Sequence, residues 1–451
     1  MKFLLVAYDF PPTPSPQALR WTYLVREIVA AGHNVEVISP NVPGYGPGGL
    51  PEIPAEVVIH RVSPGRLASV LLGRRRVRVA SDCSEPSKEW KLNEGPSDVV
   101  VLNWKGRLRN RLERLVGLGD LNWKGVLAEK LKRLISVFRF PDYRVEWTTA
   151  AVAKLDEIVA LRRPDVVVVS HEPACSLPIG LAAAKRGLPV VADLGDPVLA
   201  AYTPARWRRH AFRLEREICA AASLVSVTTQ AAASLLIDRH HLSRDKFLVV
   251  TQGFSMDADV RSVSSPIYFD ENRLELLYTG SFYNFRRAEQ LLRAVTAHPD
   301  VRLTIATVNA PEYLREAAAE NPRQIRIVGF IPHRVALSVQ RSSDVLVNIA
   351  NSDPVQIPGK IFEYFGAGRP IVHIRSAETD ATSHLLDAAR GGWSCEANEE
   401  VLRELFSKLL SLKRVGSLSG HAAPLERVLQ YSWTELSRAW LEGVRRVLPL
   451  S

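Results

Sequence analysis

The chain has no cysteine pair that could clamp or chelate. Its four cysteines, Cys83, Cys175, Cys219 and Cys395, are scattered without a CxxC spacing, which argues against a disulfide framework and a thiolate zinc site and for incidental or buried thiols. Long apolar runs are also missing. No stretch reaches the roughly 18 apolar residues of a membrane span. The leading run Phe3-Leu4-Leu5-Val6-Ala7 ends at Asp9 and Pro11, too soon for the apolar core of a secretory signal. A cytoplasmic protein is expected, either free or peripheral to the inner face of the membrane. No Asp-x-Asp metal motif stands in a suitable loop, so no metal site and no cofactor are expected.

Acidic residues are outnumbered: 48 Asp and Glu face 58 Lys and Arg, a net charge of +10. The shortfall is local. Between Arg66 and Arg139 there are 17 Lys and Arg against 8 Asp and Glu, so this stretch points to an anionic partner such as phosphate groups, a membrane surface or nucleic acid. What is present is ordinary globular material, 46% hydrophobic and 24% charged over 451 residues. That length suits two domains of roughly 200 residues each.

Strand and helix patterns alternate through most of the chain. Lys2–Tyr8, a helix over 18–31 stopped by Gly32, and Asn34–Ser39 form a βαβ unit. Val166–Ser170 is a continuous apolar strand of the kind buried on both faces; further strands are predicted over Leu188–Leu194 and Leu224–Thr228. Residues 255–272 have no strong period and are predicted to link the domains. A second alternation begins at Leu274–Thr279 and continues through Val301–Thr307, Ile325–Val328, Val345–Ile349 and Ile371–Ile374. The fold expected is α/β: two Rossmann-like doubly wound domains facing a cleft, with ligands outside the carboxyl ends of the strands. The domains are placed at 1–255 and 273–425, with a final helical segment 426–451 packing back. Residues 66–145 break the alternation as a basic helical insertion in the first domain. They hold a near-repeat, Leu102-Asn103-Trp104-Lys105-Gly106 and Leu121-Asn122-Trp123-Lys124-Gly125.

Chemistry is expected in loops after strands. Pro358-Gly359 precedes a short amphipathic helix that carries Lys360 and, one turn on, Glu363. Exposed N–H groups at such a start favour an anion, Gly359 allows close backbone approach, and Lys360 adds a point charge. A carboxylate at Glu363 can accept hydrogen bonds from ribose hydroxyls. The plainer reading is a surface Lys–Glu pair with a glycine stop.

The whole segment, Pro358 to Tyr364 with Gly366-Ala367-Gly368-Arg369-Pro370, resembles the donor-binding motif of GT-B glycosyltransferases close to family 4, retaining enzymes that use nucleotide sugars. Weaker matches stand in the family's order at Tyr8–Pro12 with Arg20-Trp21, at Ala192–Pro197 with Glu215, and at Tyr278–Phe282 with Arg286-Arg287. The resemblance covers 1–40, 160–255 and 274–395. It implies a GT-B glycosyltransferase moving a sugar from a nucleotide-diphosphate donor to a glycan or lipid-linked acceptor, with retention and without a metal, in cell-surface glycan assembly. It implies a diphosphate site at Gly280, Ser281, Arg286 or Arg287, Pro358, Gly359 and Lys360, with Glu363 on the ribose.

His171, just after Val166–Ser170, is either a donor or acceptor contact or a structural histidine. Asp196 is either an acceptor base or a cap, and Asp193 is read as a capping or structural group. Three positions depart from the family pattern: Val355 where a donor-contacting glutamate is usual, Gly195 where arginine is common, and Ser15-Pro16 in place of a glycine pair. These departures motivate an alternative, a non-catalytic GT-B binding or assembly partner. Nucleic-acid binding by the basic stretch is a third, weaker reading, because no recognised nucleic-acid module accompanies Trp104 and Trp123. A membrane-surface role and a helical lid over the first sheet fit the stretch equally.

Overall fold

In the computed structural model, the residues described are 1–13, 15–42, 50–73, 135–257, 263–283, 286–351, 356–378 and 380–448. Most of the basic stretch, with its near-repeat and Lys130, Lys132 and Arg133, lies outside them, as does Val355.

Two parallel sheets organise the chain. The first contains β1 (Lys2–Val6), β2 (Asn34–Pro40), β3 (Val58–Val62), β4 (Val166–His171), β5 (Val190–Leu194), β6 (Leu224–Val227) and β7 (Phe247–Val249), in the order β3-β2-β1-β4-β5-β6-β7. The second contains β8 (Leu274–Thr279), β9 (Val301–Ala306), β10 (Ile325–Ile327), β11 (Val345–Ile349), β12 (Ile371–Arg375) and β13 (Gly392–Glu396), in the order β10-β9-β8-β11-β12-β13. Every pairing within each sheet is parallel. The central strands read as apolar runs because helices cover both faces: all six residues of β4 and all six of β8 are buried. Both sheets are doubly wound. Strand order reverses between β1 and β4 and again between β8 and β11, and ligands bind at such switch points.

Two helices set the geometry around the first switch point. The helix Pro16–Ala30 starts with a Ser15 side chain accepting from the Ala18 N–H and with proline at its first position. It carries Arg20, fully buried, whose guanidinium forks onto Asp193 at the end of β5 (Nε–Oδ2 3.0 Å, Nη2–Oδ1 2.9 Å) and also donates to the Thr251 carbonyl at 2.7 Å. Ser226 adds a bond to the same carboxylate at 2.6 Å. On the helix Arg208–Ala221, buried Glu215 accepts from Arg239, His240 and the Leu199 N–H. Asp193 and Glu215 therefore tie the fold together; both are satisfied inside the protein.

The last helix, Trp433–Val447, lies on the first sheet. Trp433, Leu436, Trp440, Leu441 and Val444 share a core with Phe3, Leu5 and Trp21. Trp440 meets Trp21 edge-on at 6.0 Å and lies 5.8 Å from Phe3. The chain thus passes between the sheets twice, and the two passages touch: Phe254 N–H donates to the Tyr431 carbonyl and Trp433 N–H to the Phe254 carbonyl.

Candidate functional site

The loop after β8 turns at Gly280, whose φ of +125° is a conformation that side-chain-bearing residues rarely adopt. Its N–H donates to the Ala306 carbonyl at 3.0 Å. The next carbonyl, of Ser281, accepts from the Tyr278 hydroxyl at 3.1 Å and from Arg286 at 3.0 Å. Arg286 is only 9% exposed and also donates to Asn351 Oδ1, in the loop after β11, at 2.5 Å. The guanidinium therefore spans the two loops of the second switch point. Arg287 takes no part. It is exposed and pairs with Glu289 at 3.1 Å, so of the two arginines named from the sequence only Arg286 is drawn into the site.

The helix Lys360–Ala367 enters from the other side. It is fixed by buried Tyr364, whose hydroxyl bonds the Thr279 N–H at 3.0 Å and the Val347 carbonyl at 3.3 Å, linking the ends of β8 and β11. A Cβ on Gly359 would come within 2.9 Å of Gln252 Cγ, so glycine permits close approach of the helix start to the first domain. The Pro358 carbonyl accepts from the Ile361 N–H at 3.0 Å. Lys360 places its Nζ 3.7 Å above the Tyr278 ring and donates to the Thr279 carbonyl at 3.2 Å. Burial, with the positive charge of Arg286 added, pushes the ammonium's pKa well below the usual lysine range, and Glu363 opposes that shift. A cation held against a ring face and one carbonyl is poised to gain from an incoming anion.

Glu363 contacts neither Lys360 nor solvent alone. Its Oε1 lies 2.8 Å from Nε2 of His333, the first residue of the helix His333–Ser342. The His333 ring stands 6.3 Å from the Tyr23 ring on the helix Pro16–Ala30. Burial raises the Tyr23 phenol, and the Glu363 charge adds to the effect. His333 was not singled out in the sequence. The available signal was positional: Pro332-His333 opens a helix after β10 much as Pro358-Gly359-Lys360 does after β11.

At the first switch point His171 ends β4. It is buried, and its Nδ1 lies 2.8 Å from the Asp196 carbonyl. A carbonyl only accepts, so Nδ1 carries the proton and Nε2 is the acceptor nitrogen of the neutral ring. Burial lowers the pKa of His171, favouring that neutral form. His171 and Asp196 are thus brought together, but through the Asp196 backbone. Glu172, at φ +57°, follows and accepts from the Tyr202 hydroxyl at 3.3 Å. Asp9, after β1, has its carboxyl pKa raised by burial, with Arg144 opposing. Arg144 itself is chelated by Asp142 at 2.8 and 3.0 Å and lies over the Tyr8 ring.

Two departures from the family pattern meet here. Gln17, following Ser15-Pro16, is buried, and its amide nitrogen would be 2.2 Å from a Cβ on Gly195. The first loop thus fills the space beside Gly195 where a side chain would start.

Residues 97–258 match the family model described as Glycosyltransferase Family 4; the match begins inside the basic stretch, which bore no resemblance by motif. No curated protein matches the sequence. Among solved structures, a glycosyltransferase from Rickettsia africae ESF-5 is similar over 100% of this chain and 99% of its own, with a TM-score of 0.60 at 12% identity. The MnaA–UDP co-structure from S. aureus aligns over 99% of this chain and 96% of its own, with a TM-score of 0.52 at 14% identity. UDP-GlcNAc 2-epimerase from Neisseria meningitidis, bound to UDP-GlcNAc, aligns over 99% and 100%, with a TM-score of 0.51 at 12% identity. At these identities the likeness concerns the fold, and it spans both sheets. The chain has the two-domain GT-B fold, and residues 97–258 resemble Glycosyltransferase Family 4.

Proposed function

We propose that the protein is a retaining glycosyltransferase that moves a sugar from a nucleoside diphosphate to an acceptor hydroxyl. The observation that carries this reading is the convergence of Lys360 and Arg286 beside Gly280, at the switch point of the second sheet. As the glycosidic bond to the diphosphate breaks, negative charge grows on the leaving oxygen. Lys360, Arg286 and the N–H groups at the start of the helix Lys360–Ala367 would stabilise that charge without a metal ion. Glu363, oriented by His333, would take the ribose hydroxyls. His171, neutral with an acceptor nitrogen, would bind a hydroxyl of the donor sugar or the acceptor, with Asp196 beside it.

The UDP and UDP-GlcNAc found with the S. aureus and Neisseria proteins make uridine diphosphate the first nucleotide to try. Retention rests on the family resemblance, and a lipid-linked acceptor in cell-surface glycan assembly on the basic character of the chain. Among the described residues no helix is long and apolar enough to cross a membrane, so contact with such an acceptor would be peripheral.

A thermal-shift screen of nucleoside diphosphates, followed by hydrolysis of the matching nucleotide sugars, tests the reading. It expects one nucleotide to raise the Tm and its sugar conjugate to be hydrolysed, with the anomer identified by NMR. No shift and no hydrolysis with any of them would sink it. Binding without turnover, even with acceptor glycans supplied, would select the alternative of a non-catalytic partner, which Gly195 filled by Gln17 favours.

A further inference from the structure

The turn Ala205–Trp207 and the helix Arg208–Ala221 have two unlike faces. Ala211, Leu214, Ile218 and Cys219 are buried in the core of the first domain. Arg206, Arg209, Arg213 and Arg216 are exposed, spaced three, four and three residues apart. That spacing puts them on one side in a row ~15 Å long. Among the described residues no carboxylate pairs with any of the four, and exposed Glu217 follows Arg213 by four residues on the same helix. By contrast, Glu215 on the buried face is fully engaged.

Large apolar side chains flank the row. Tyr202 is 65% exposed, Phe212 36% and Phe138 74%. Phe138 reaches the row because the chain on either side of it is anchored there. Trp207 Nε1 donates to the Ser136 carbonyl at 2.8 Å, and the Phe140 ring lies 5.7 Å from Trp207 and 4.7 Å from His210. Guanidinium groups in a line, edged by exposed rings, match an interface that is anionic at its surface and apolar just beneath.

We propose that this face docks on a membrane surface rich in anionic phospholipid, with Arg206, Arg209, Arg213 and Arg216 on the phosphates and Phe138, Tyr202 and Phe212 at the headgroup–acyl boundary. The placement rests on the glycosyltransferase reading in one respect. Tyr202 bonds Glu172 beside His171, so the docked face borders the acceptor end of the first sheet and would present that end to a lipid-linked acceptor. Nucleic acid would also attract the arginines, and bases can stack on exposed rings, but no recognised nucleic-acid module accompanies this face.

The test is co-sedimentation of the full chain with vesicles of phosphatidylcholine alone and of phosphatidylcholine mixed with phosphatidylglycerol. Binding is expected only to the mixed vesicles and should weaken with added salt. The combined variant Arg209→Glu, Arg213→Glu, Arg216→Glu should lose at least about tenfold in partitioning, since each cation near an anionic surface contributes about fivefold. Phe212→Ser should weaken binding while leaving its salt dependence in place. Both variants should keep the nucleotide-induced Tm shift of the parent, which also reports that they are folded. Equal binding to phosphatidylcholine alone, or partitioning unchanged by charge reversal, would overturn the proposal. So would an oligonucleotide that displaces the protein from the vesicles. Because the vesicle assay needs no donor, loss of the donor reading and loss of this one are scored separately.

Discussion

The two switch points use charge in opposite ways. At the first, charges are cancelled locally: Arg20 forks onto Asp193, Arg144 is chelated by Asp142, and Glu215 is shared by Arg239 and His240. At the second, the Lys360 ammonium rests on a ring face and a carbonyl, with buried Arg286 beside it. Compensated charge holds a structure together, whereas the Lys360 ammonium, which no carboxylate among the described residues bonds, is disposed to bind an anion. The contrast separates residues that support the fold from residues that await a ligand, although both sets are buried and polar.

The comparison can be broken most severely at Arg20. Arg20→Ala would leave Asp193 buried without its guanidinium, and removing one member of a buried pair costs about 3–5 kcal/mol. Urea unfolding should show that loss; stability equal to the parent would mean that the first switch point is not held by its ion pair. Lys360→Met should act in the reverse sense. The folded pKa of Lys360 lies below its unfolded value, so its charged form is disfavoured in the folded protein, and that cost is relieved as pH rises through the folded value. Replacing it should raise the Tm of the ligand-free protein while abolishing the nucleotide-induced shift. It should also slow donor hydrolysis by about 10²–10³-fold, typical of losing one transition-state charge contact. In the parent, nucleotide affinity should fall with rising pH earlier than an ordinary lysine would allow, and Lys360→Arg should move that loss to higher pH.

A smaller effect is expected at His333. Its bond to Glu363 involves a carboxylate and is worth about 1.5–3 kcal/mol, so His333→Ala should raise the KM for the donor by about tenfold or more with less change in kcat. His333→Gln, which can donate from a similar position, should recover part of the loss. A kcat effect larger than the KM effect would contradict an orienting role. The smallest effect belongs to Arg287→Ala: an exposed residue whose one ion pair among the described residues is with Glu289 should change stability by no more than about 0.5 kcal/mol and leave nucleotide binding unaltered. A large loss there would mean that the sequence pair Arg286-Arg287 acts together in solution.

The central strands were legible because burial on both faces demands unbroken apolar runs, as in Val166–His171 and Leu274–Thr279. The strands Val58–Val62, Phe247–Val249 and Gly392–Glu396 were not, because each lies at a sheet edge, is short or half-exposed, and has no such run. In the site, Lys360 and Glu363 could be read from one contiguous motif. Choosing Arg286 over Arg287 could not, since Arg286 is held in part by Asn351, 65 residues away in another loop. The Glu363–His333 contact spans 30 residues, and the packing of Gln17 against Gly195 joins loops from different strands. Neither leaves a local pattern.

The double passage between the domains has a practical consequence for dissecting the molecule. A cut in the 255–272 segment would not yield two self-sufficient pieces, because Trp440 and its neighbours would depart with the wrong half. A fragment ending before Trp433 would expose Trp21, Phe3 and Leu5 to water and aggregate or unfold, whereas co-expressing it with a peptide spanning 426–451 should restore a folded first domain. The C-terminal helix is, in effect, a removable plug for a core to which the chain's first forty residues contribute most of the rest.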